Sequence, residues 1–392
     1  MSRSEFLSYG GDTHRAEPQA YQPPRVLREL LDSAGVAFNG VNPWDIQVHD
    51  PRLYDRVVRQ GSLGLGEAYL DGWWDCQRLD ELFHRLLAAD ADEALSGIAR
   101  LQFLLVYLKS TLINRQSRRR AAQVGEHHYD IGNDVFEAML DPTMSYSCGY
   151  WANADNLADA QLHKLRMSCD KLQLEPGQRL LDIGCGWGGL AQFAAQNYGV
   201  EVTGITISKE QKAFAEQRCR GLPVTIELKD YRDVQGRYDR IISIGMFEHV
   251  GPKNYRAYFS AAERLLRDDG LFLLHTIGHH RTCATSDEWM DKYIFPNGKL
   301  PSAKLLTEAI EPSFLIDDWH NFGQDYDRTL MAWWDNFDAA WPRLSDSHGE
   351  RFYRMWKYYL MVCAGFFRSR QGLLWQLVMS KRKRRAVYRS IR

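Results

Sequence analysis

The sequence predicts an α/β protein built on a doubly wound sheet, with a smaller and mainly helical N-terminal domain in front of it. The first observation is that short apolar segments alternate with segments of helical pattern beyond residue 125, as in folds whose parallel strands are joined by helices. The second is a glycine-rich stretch at Leu180–Gly189, LLDIGCGWGG, which lies between the first such strand and the next helix. Ligands bind at this position in doubly wound sheets.

The individual elements follow from the same alternation. Five short apolar runs are predicted to be buried parallel strands: Arg179–Ile183, Val200–Ile205, Val224–Leu228, Tyr238–Ile244 and Leu271–Thr276. Three segments between them have helical pattern: Gly189–Asn197, Lys209–Arg220 and Lys253–Leu266. After residue 280 the alternation breaks, and the segments expected there are Phe314–Trp319, two aromatic helices at Arg328–Leu344 and Glu350–Arg370, and a last strand at Leu373–Met379.

Four regions are predicted along the chain. Residues 1–24 are polar and are expected to be flexible, 25–105 form an accessory domain, 106–124 are an Arg-rich linker, and 125–392 carry the glycine loop. The apolar stretch Leu101–Ile113 is shorter than the ~20 residues that cross a bilayer, and four arginines follow within six residues from Arg115. This pattern fits either an interfacial helix that meets anionic lipid headgroups or a core helix followed by a solvated linker.

Charge and cysteine content exclude several classes of protein. With 49 Lys and Arg against 50 Asp and Glu, the chain has no net positive field to capture nucleic acid. Its seven cysteines are odd in number and widely spaced, without a Cys-x-x-Cys pair, so neither a disulfide framework nor a zinc site is predicted. The N-terminus lacks the apolar region of a signal peptide. We therefore expect a cytoplasmic protein with reduced thiols and no bound metal.

The glycine loop admits more than one ligand. Gly184, Gly186 and Gly189 satisfy the G-x-G-x-x-G pattern of nicotinamide enzymes, but that pattern needs a carboxylate about 20 residues on, and the second strand ends in Gly204–Ser208 without one. Asp182 instead completes D-x-G-x-G-x-G, which is typical of class I S-adenosylmethionine (SAM) methyltransferases. A tight turn without a ligand is the third possibility. After the third strand, Asp230 and Tyr231 are placed to contact an adenine amino group and ring.

Several longer segments resemble the cyclopropane-fatty-acyl-phospholipid synthases. They keep the order and spacing of that family over roughly residues 125–380: Gly125–Trp151, Leu180–Gly189, Ile244–Tyr255, Leu273–Gly278, Lys292–Pro301, Trp319–Trp334 and Tyr358–Arg370. The N-terminal region is also similar to that family, with less distinctive motifs. The related mycolic-acid cyclopropane synthases lack most of this region, so its presence favours the phospholipid branch. Two departures are Gly149, where Ala is usual, and the stretch Thr282–Glu288.

The resemblance implies that residues 125–392 are a SAM-dependent catalytic domain. Family members transfer a methyl from SAM to the cis double bond of a phospholipid acyl chain, and a proton lost from the new methyl closes a cyclopropane ring. The base in the family is a bound bicarbonate ion. The positions here that match its binding set are Glu248, His275, Ile277, Tyr326 and the backbone at Cys148. Cys363 matches a reactive cysteine of the family, and we expect it near the acyl pocket but not essential.

The resemblance also implies the SAM contacts and the partners. The matching SAM-binding positions are Tyr146, Ser147, Leu180, Asp182, Gly184, Gly186, Gly188, Thr206, Gln211, Asp230, Tyr231 and Arg232. The expected partners are a phospholipid bilayer surface on its cytoplasmic side and a second copy of the chain. Two alternatives remain at this stage: a methyltransferase that makes methyl-branched lipids or N-methylated amines, and a SAM- or lipid-binding protein without catalysis.

Overall fold

The N-terminal part of the chain is mainly helical in the computed structural model, which describes residues 22–89, 132–283 and 286–392. Its helices are α1 (Arg25–Ser33), α2 (Arg52–Leu70) and α3 (Leu79–Ala88), and strands β1 (Gln47–Val48) and β2 (Trp74–Asp75) pair antiparallel beside them. Leu27 and Leu31, one turn apart on α1, are both buried, so the helix has one inward face. The remainder of the predicted accessory domain and the Arg-rich linker, residues 90–124, lie outside the described residues.

The large sheet has seven strands and confirms the predicted fold class. Its strands are β3 (Arg179–Ile183), β4 (Glu201–Thr206), β5 (Val224–Leu228), β6 (Tyr238–Ile244), β7 (Leu266–His279), β8 (Leu315–Asn321) and β9 (Gly372–Ser380). They are arranged in the order β5-β4-β3-β6-β7-β9-β8. The strands from β5 to β7 are parallel, whereas β9 inserts between β7 and β8 and runs antiparallel to both.

The other helices of the described residues lie before, between and after these strands along the chain. They are α4 (Asn133–Met139), α5 (Leu157–Lys171), α6 (Gly189–Tyr198), α7 (Lys209–Arg218), α8 (Tyr255–Leu265), α9 (Glu288–Tyr293), α10 (Ala303–Ile310) and α11 (Asp325–Arg368). The five predicted strands, the last strand and the three predicted helices are confirmed, although β7 extends beyond Leu271–Thr276 at both ends. The two predicted aromatic helices are the two parts of α11, which is interrupted at Gly349, where φ is +72°.

The second part of α11 packs against the N-terminal helices. The Tyr358 ring contacts the rings of Tyr69 and Phe83, with centroids 5.5 and 5.1 Å apart. A Cβ at Gly365 would lie 2.6 Å from the backbone nitrogen of His84, so only glycine allows the helices to approach this closely. The guanidinium of Arg354 donates to the carbonyl oxygens of Tyr69 and Trp74, at 2.6 and 3.0 Å. Residues 22–89 and α11 therefore share one continuous hydrophobic core.

Candidate active site

A cavity of about 1270 Å³ opens at the carboxyl ends of the parallel strands. The loop after β3, the end of β4, the turn after β6 and the end of β7 all contribute residues to its lining. Helix α11 contributes aromatic residues. This is the edge at which doubly wound sheets bind their ligands, because strand ends and helix N-termini meet there.

Most of the predicted site residues line this one cavity. The lining positions are Glu248, His275, Ile277, Tyr326, Cys363, Tyr146, Ser147, Asp182, Gly184, Gly186, Thr206, Gln211, Asp230, Tyr231 and Arg232. They come from segments more than 200 residues apart in sequence, from Tyr146 to Cys363. The predicted cofactor and catalytic sets are therefore brought together by the fold, in adjoining parts of a single space.

Three predicted residues do not line the cavity. Leu180 is fully buried in the core between the sheet and its helices. A Cβ at Gly188 would meet that of Ala215, which shows that this glycine faces α7. Cys148 is fully buried, and its thiol lies 3.1 Å from the carbonyl oxygen of Gly149 and 3.9 Å from the hydroxyl of Thr329. None of these three positions is therefore part of the cavity lining.

The glycine loop has the backbone conformation that glycine favours. Gly184, Gly186 and Gly188 have φ values of +86°, +52° and +81°. The N–H groups of Gly184 and Cys185 both donate to the carbonyl of Ile205 at 3.0 Å, which ties the loop to β4. A Cβ at Gly186 would meet nothing within 4 Å. The loop is thus a cradle with open space in front of its backbone, as close binding of a ligand requires.

A buried carboxylate and a buried ammonium lie beside this cradle. Within the described residues, Asp182 Oδ2 is buried and has no hydrogen-bond partner. Burial raises the pKa of Asp182 to about 7, against the opposing effect of Lys164. Lys164, on α5, donates to the Ser147 hydroxyl at 3.0 Å, and burial lowers its pKa to about 8. Opposite charges near one cradle fit the zwitterionic amino-acid end of SAM.

Sequence reasoning missed Lys164 because a lysine on an unassigned helix is ordinarily solvent-exposed. The helix itself carries a local signal, since the Asn156 side chain accepts from the N–H of Asp159 as an N-cap. Recognising that cap would have placed α5. It would not have shown that Lys164 points inward, because that depends on packing against the loop that contains Ser147.

Three further contacts shape the part of the cavity expected to hold the nucleoside. The Thr206 hydroxyl donates to Gln211 Oε1 at 2.8 Å, which orients the amide of Gln211. The Asp230 carboxylate accepts from the guanidinium of Arg232 at 2.7 and 2.6 Å. The Tyr231 ring packs edge-on against Tyr258, with centroids 5.1 Å apart. The residues present therefore fit SAM: a backbone cradle, fixed polar groups and an aromatic ring.

A second polar cluster lies where β6 and β7 end. Glu248 follows β6 in a short turn, and its Oε1 accepts from the N–H of Ile277 at 2.7 Å. Its Oε2 is buried without a partner in the described part of the chain, and burial raises its pKa to about 7. His275 Nδ1 lies 3.1 Å from Gln376 Nε2, and its Nε2 is buried without a partner among the described residues. Within the described residues, Glu248 is thus held by the backbone of β7 and makes no hydrogen bond to His275.

The electrostatics of this cluster suit a small oxyanion. Burial, together with the charges of Lys164 and Lys171, holds the pKa of His275 well below its usual value, so the ring is neutral. Burial also raises the pKa of Tyr326 well above the ordinary value, so its hydroxyl keeps its proton and is able to donate. His275 Nε2 and the Tyr326 hydroxyl are able to donate to a small oxyanion, and Glu248 Oε2 would accept from an oxyanion that carries an O–H group.

The wall beyond this cluster is aromatic. Tyr326 stacks on Phe367, with ring centroids 4.4 Å apart at an angle of 28°. The hydroxyls of Tyr146 and Tyr359 lie 2.7 Å apart. Cys363 lines the same wall, and burial raises the pKa of its thiol to about 12, so it is not a thiolate at neutral pH. All seven cysteines of the chain are free thiols, as expected.

Comparison with known proteins gives the family. The model of the family described as mycolic acid cyclopropane synthetase matches residues 116–377. The chain belongs to this family. It is also 55% identical to the cyclopropane-fatty-acyl-phospholipid synthase of Escherichia coli, over 91% of this chain and 93% of the relative. Family membership and the enzyme class, a SAM-dependent methyltransferase, are therefore confirmed.

More distant relatives share less of the sequence. A probable fatty acid methyltransferase of Pseudomonas putida is 33% identical over 82% of this chain and 83% of the relative. Among solved structures, the cyclopropane synthase MmaA2 from Mycobacterium tuberculosis has 31% identity and a TM-score of 0.63. It covers 66% of this chain and 98% of its own length. The E. coli relative thus matches much more of the chain than this solved structure does.

A second solved structure bears on the cofactor. The mycolic acid cyclopropane synthase CmaA1, in complex with SAH and CTAB, has 33% identity and a TM-score of 0.62 over 67% of this chain and 98% of its own. A coclaurine N-methyltransferase bound to SAH, at 23% identity and a TM-score of 0.66, shows the shared fold alone. The SAH complex of CmaA1, together with the E. coli relative, supports dependence on SAM for the family.

Proposed function

We propose that this enzyme transfers a methylene group from SAM to the cis double bond of phospholipid acyl chains and forms a cyclopropane ring. The proposal rests on two buried polar atoms without a hydrogen-bond partner in the described part of the chain, Glu248 Oε2 and His275 Nε2, which lie in the same cavity as an aromatic wall. The 55% identity to the E. coli phospholipid synthase supports the same substrate class.

The proposed reaction needs no nucleophile from the protein. The π electrons of the alkene form the new C–C bond as the C–S bond of SAM breaks, and the electron pair stays with sulfur. A C–H bond of the new methyl then supplies the pair that closes the ring, and its proton leaves to a base. The neutral thiol of Cys363 agrees with this scheme, since no thiolate is required.

The chain provides the environment that a cationic lipid intermediate needs. Aromatic faces attract a cation, and the rings of Tyr326 and Phe367 offer such a surface from α11. A dry pocket also keeps water from trapping the cation as an alcohol. Glu248, His275 and Tyr326 would hold the anion, and Ile277 would contribute through its bond to Glu248. Bicarbonate bound among them would supply the base that accepts the proton.

We further propose that the enzyme works on the bilayer surface and pairs with a second copy of itself. No helix within the described residues is both long and apolar enough to cross a bilayer. Support for surface binding comes from the apolar stretch Leu101–Ile113 and the arginines that follow it in sequence, which lie outside the described residues. Pairing rests on the family resemblance, and sedimentation of the purified protein tests it.

Reconstitution tests the function. Purified protein would be incubated with isotopically labelled SAM, bicarbonate and vesicles of a cis-unsaturated phospholipid, and the acyl chains analysed by mass spectrometry and proton NMR. We expect upfield ring signals and one added methylene per double bond. A methyl-branched product would contradict ring formation and would favour a fatty acid methyltransferase, the activity named for the Pseudomonas putida relative. Binding of SAM without any labelled lipid would contradict the proposal.

Vesicle flotation tests the surface proposal separately. Replacing Arg115, Arg118, Arg119 and Arg120 by Gln should weaken binding to anionic vesicles, by about 1 kcal/mol per charge. Raising the salt concentration should weaken binding of the unmodified protein in the same way. Equal binding to anionic and neutral vesicles by both proteins would contradict an electrostatic docking role for this cluster.

A further inference from the structure

A series of contacting polar side chains connects His275 to β8, the edge strand of the sheet. His275 on β7 stands in register with Gln376 on β9, and Gln376 stands in register with His320 on β8. Lys171, the last residue of α5, lies against Gln376 and His320. His275, Gln376 and Lys171 are at most 1% exposed. Of these residues, the proposed reaction uses only His275.

Lys171 determines which way the Gln376 amide points. Its ammonium group lies 3.0 Å from Gln376 Oε1 and 3.0 Å from His320 Nδ1. Asp318 Oδ2 lies 3.7 Å away and provides the opposite charge. An ammonium has three donors and no acceptor, so the amide must turn its oxygen toward it. Rotating the amide would place its NH₂ group against the ammonium in a buried site.

The amide orientation in turn determines the tautomer of His275. With its oxygen toward Lys171, the Gln376 NH₂ group faces the Ser168 hydroxyl at 3.0 Å and His275 Nδ1 at 3.1 Å. An amide nitrogen only donates, so Nδ1 must accept. The neutral imidazole therefore carries its proton on the other nitrogen, Nε2, which has no hydrogen-bond partner among the described residues.

We infer that Lys171 and Gln376 are positioning residues that hold His275 in the Nε2–H tautomer, so that the ring donates a hydrogen bond to the bound anion. The identity of that anion rests on the proposed function, whereas the tautomer does not. A ring whose Nε2 carries a proton and whose Nδ1 is occupied cannot accept a proton from substrate. This explains why the cavity would need an exogenous base beside a histidine.

The decisive variant is Gln376→Glu, which keeps the shape of the side chain but replaces its donor by a second acceptor. One oxygen would pair with Lys171, and the other would accept a proton from Nδ1 of His275. The tautomer would therefore reverse. Ser168→Ala is the matched control, because it removes the other acceptor of the Gln376 amide and leaves the Lys171 contact unchanged.

Nitrogen NMR of the full-length protein labelled with ¹⁵N-histidine reads the tautomer directly, with the His275 signals identified by their loss in His275→Asn. We expect the Nε2–H form in the unmodified protein and in Ser168→Ala, and the Nδ1–H form in Gln376→Glu. Lys171→Met is a second variant that leaves Asp318 paired with Arg392, at 2.7 Å. In it the amide is free to rotate, and both tautomers should appear.

Kinetics separate this inference from the proposed function. In Gln376→Glu the KM for bicarbonate should rise about tenfold or more, as for loss of a hydrogen bond to a charged group, while SAM affinity stays unchanged. An Nδ1–H tautomer in the unmodified protein, or an Nε2–H tautomer retained in Gln376→Glu, would overturn the inference. If the tautomer switches as expected but the enzyme does not respond to bicarbonate, Lys171 and Gln376 do control the tautomer. The assignment of the anion as bicarbonate would then be wrong.

Discussion

The N–H of Ile277 donates to Oε1 of Glu248 across 2.7 Å, and this bond joins the turn after β6 to the end of β7. It uses one oxygen of the carboxylate and holds the other in place within the cavity wall. That second oxygen, Oε2, is buried and has no hydrogen-bond partner among the described residues. The backbone of β7 therefore orients the carboxylate of Glu248, which follows β6.

Replacing Glu248 by Gln should separate turnover from cofactor binding. The amide oxygen is still able to accept from Ile277, but an NH₂ group replaces the free acceptor, so the anion would lose an acceptor partner. We expect turnover to fall about 10²- to 10⁴-fold while the Kd for SAM, measured by calorimetry, is nearly unchanged. Glu308→Gln, on the exposed face of α10, is the control. An unchanged rate in Glu248→Gln would remove this residue from the mechanism.

Replacing Cys363 by Ser should leave most of the activity. Burial raises the pKa of this thiol to about 12, so the enzyme has no thiolate here to lose. Cys363→Phe should instead lower the rate on lipid vesicles, because a larger side chain at the cavity wall would take space from the acyl chain. Initial rates with both variants test the assignment. Complete loss of activity in Cys363→Ser would show that the sulfur itself takes part.

The pH dependence of kcat should report Glu248. Burial raises its pKa to about 7, and only the carboxylate offers two acceptors, so activity is lost as pH falls through that value. At saturating SAM and a constant bicarbonate concentration, kcat should fall about tenfold per pH unit well below 7 and level off above it. His275 stays neutral over this range because burial holds its pKa well below the usual value.

Protonation of Asp182 should affect a different kinetic parameter, the KM for SAM. Its pKa is also raised to about 7 by burial, but it lies in the part of the cavity expected to hold the cofactor. Its protonation should therefore alter the KM for SAM and leave kcat at saturation unchanged. A kcat that stays constant from acid to alkaline pH would contradict the ionisation assigned to Glu248.

Replacing Arg354 by Met should destabilise the fold without altering the site directly. Its guanidinium donates to the carbonyls of Tyr69 and Trp74 and to the Asp75 carboxylate, between 2.6 and 3.0 Å. Its loss removes these three bonds, while the Tyr69 carbonyl keeps the N–H of Gly72 and the Asp75 carboxylate keeps His49, so the free energy of unfolding should fall by about 1–3 kcal/mol. Urea unfolding measures this, with the exposed Arg343→Met on the same helix as control. Equal midpoints for the two variants would contradict the role of Arg354.

The sequence alone identified the sheet and much of the cavity. Strand ends and the glycine loop are local patterns, so Asp182, Gly184 and Gly186 could be assigned to a ligand site from neighbouring residues alone. The family resemblance added Glu248, His275 and Tyr326, which lie far apart along the chain. The sequence analysis did not identify α5 or its two buried lysines, Lys164 and Lys171, because a charged side chain is ordinarily expected at the surface.

Only the tertiary structure decided what these lysines and their partners do. Whether Lys164 meets Ser147, and whether Lys171 meets Gln376, depends on how α5 lies across strands that are distant in sequence. The tautomer of His275 depends on strand register, because β9 inserts antiparallel beside β7 and puts Gln376 opposite the ring. Local patterns specify which segments become strands and helices. Contacts between distant segments determine where protons lie, because each donor needs an acceptor that only the folded chain supplies.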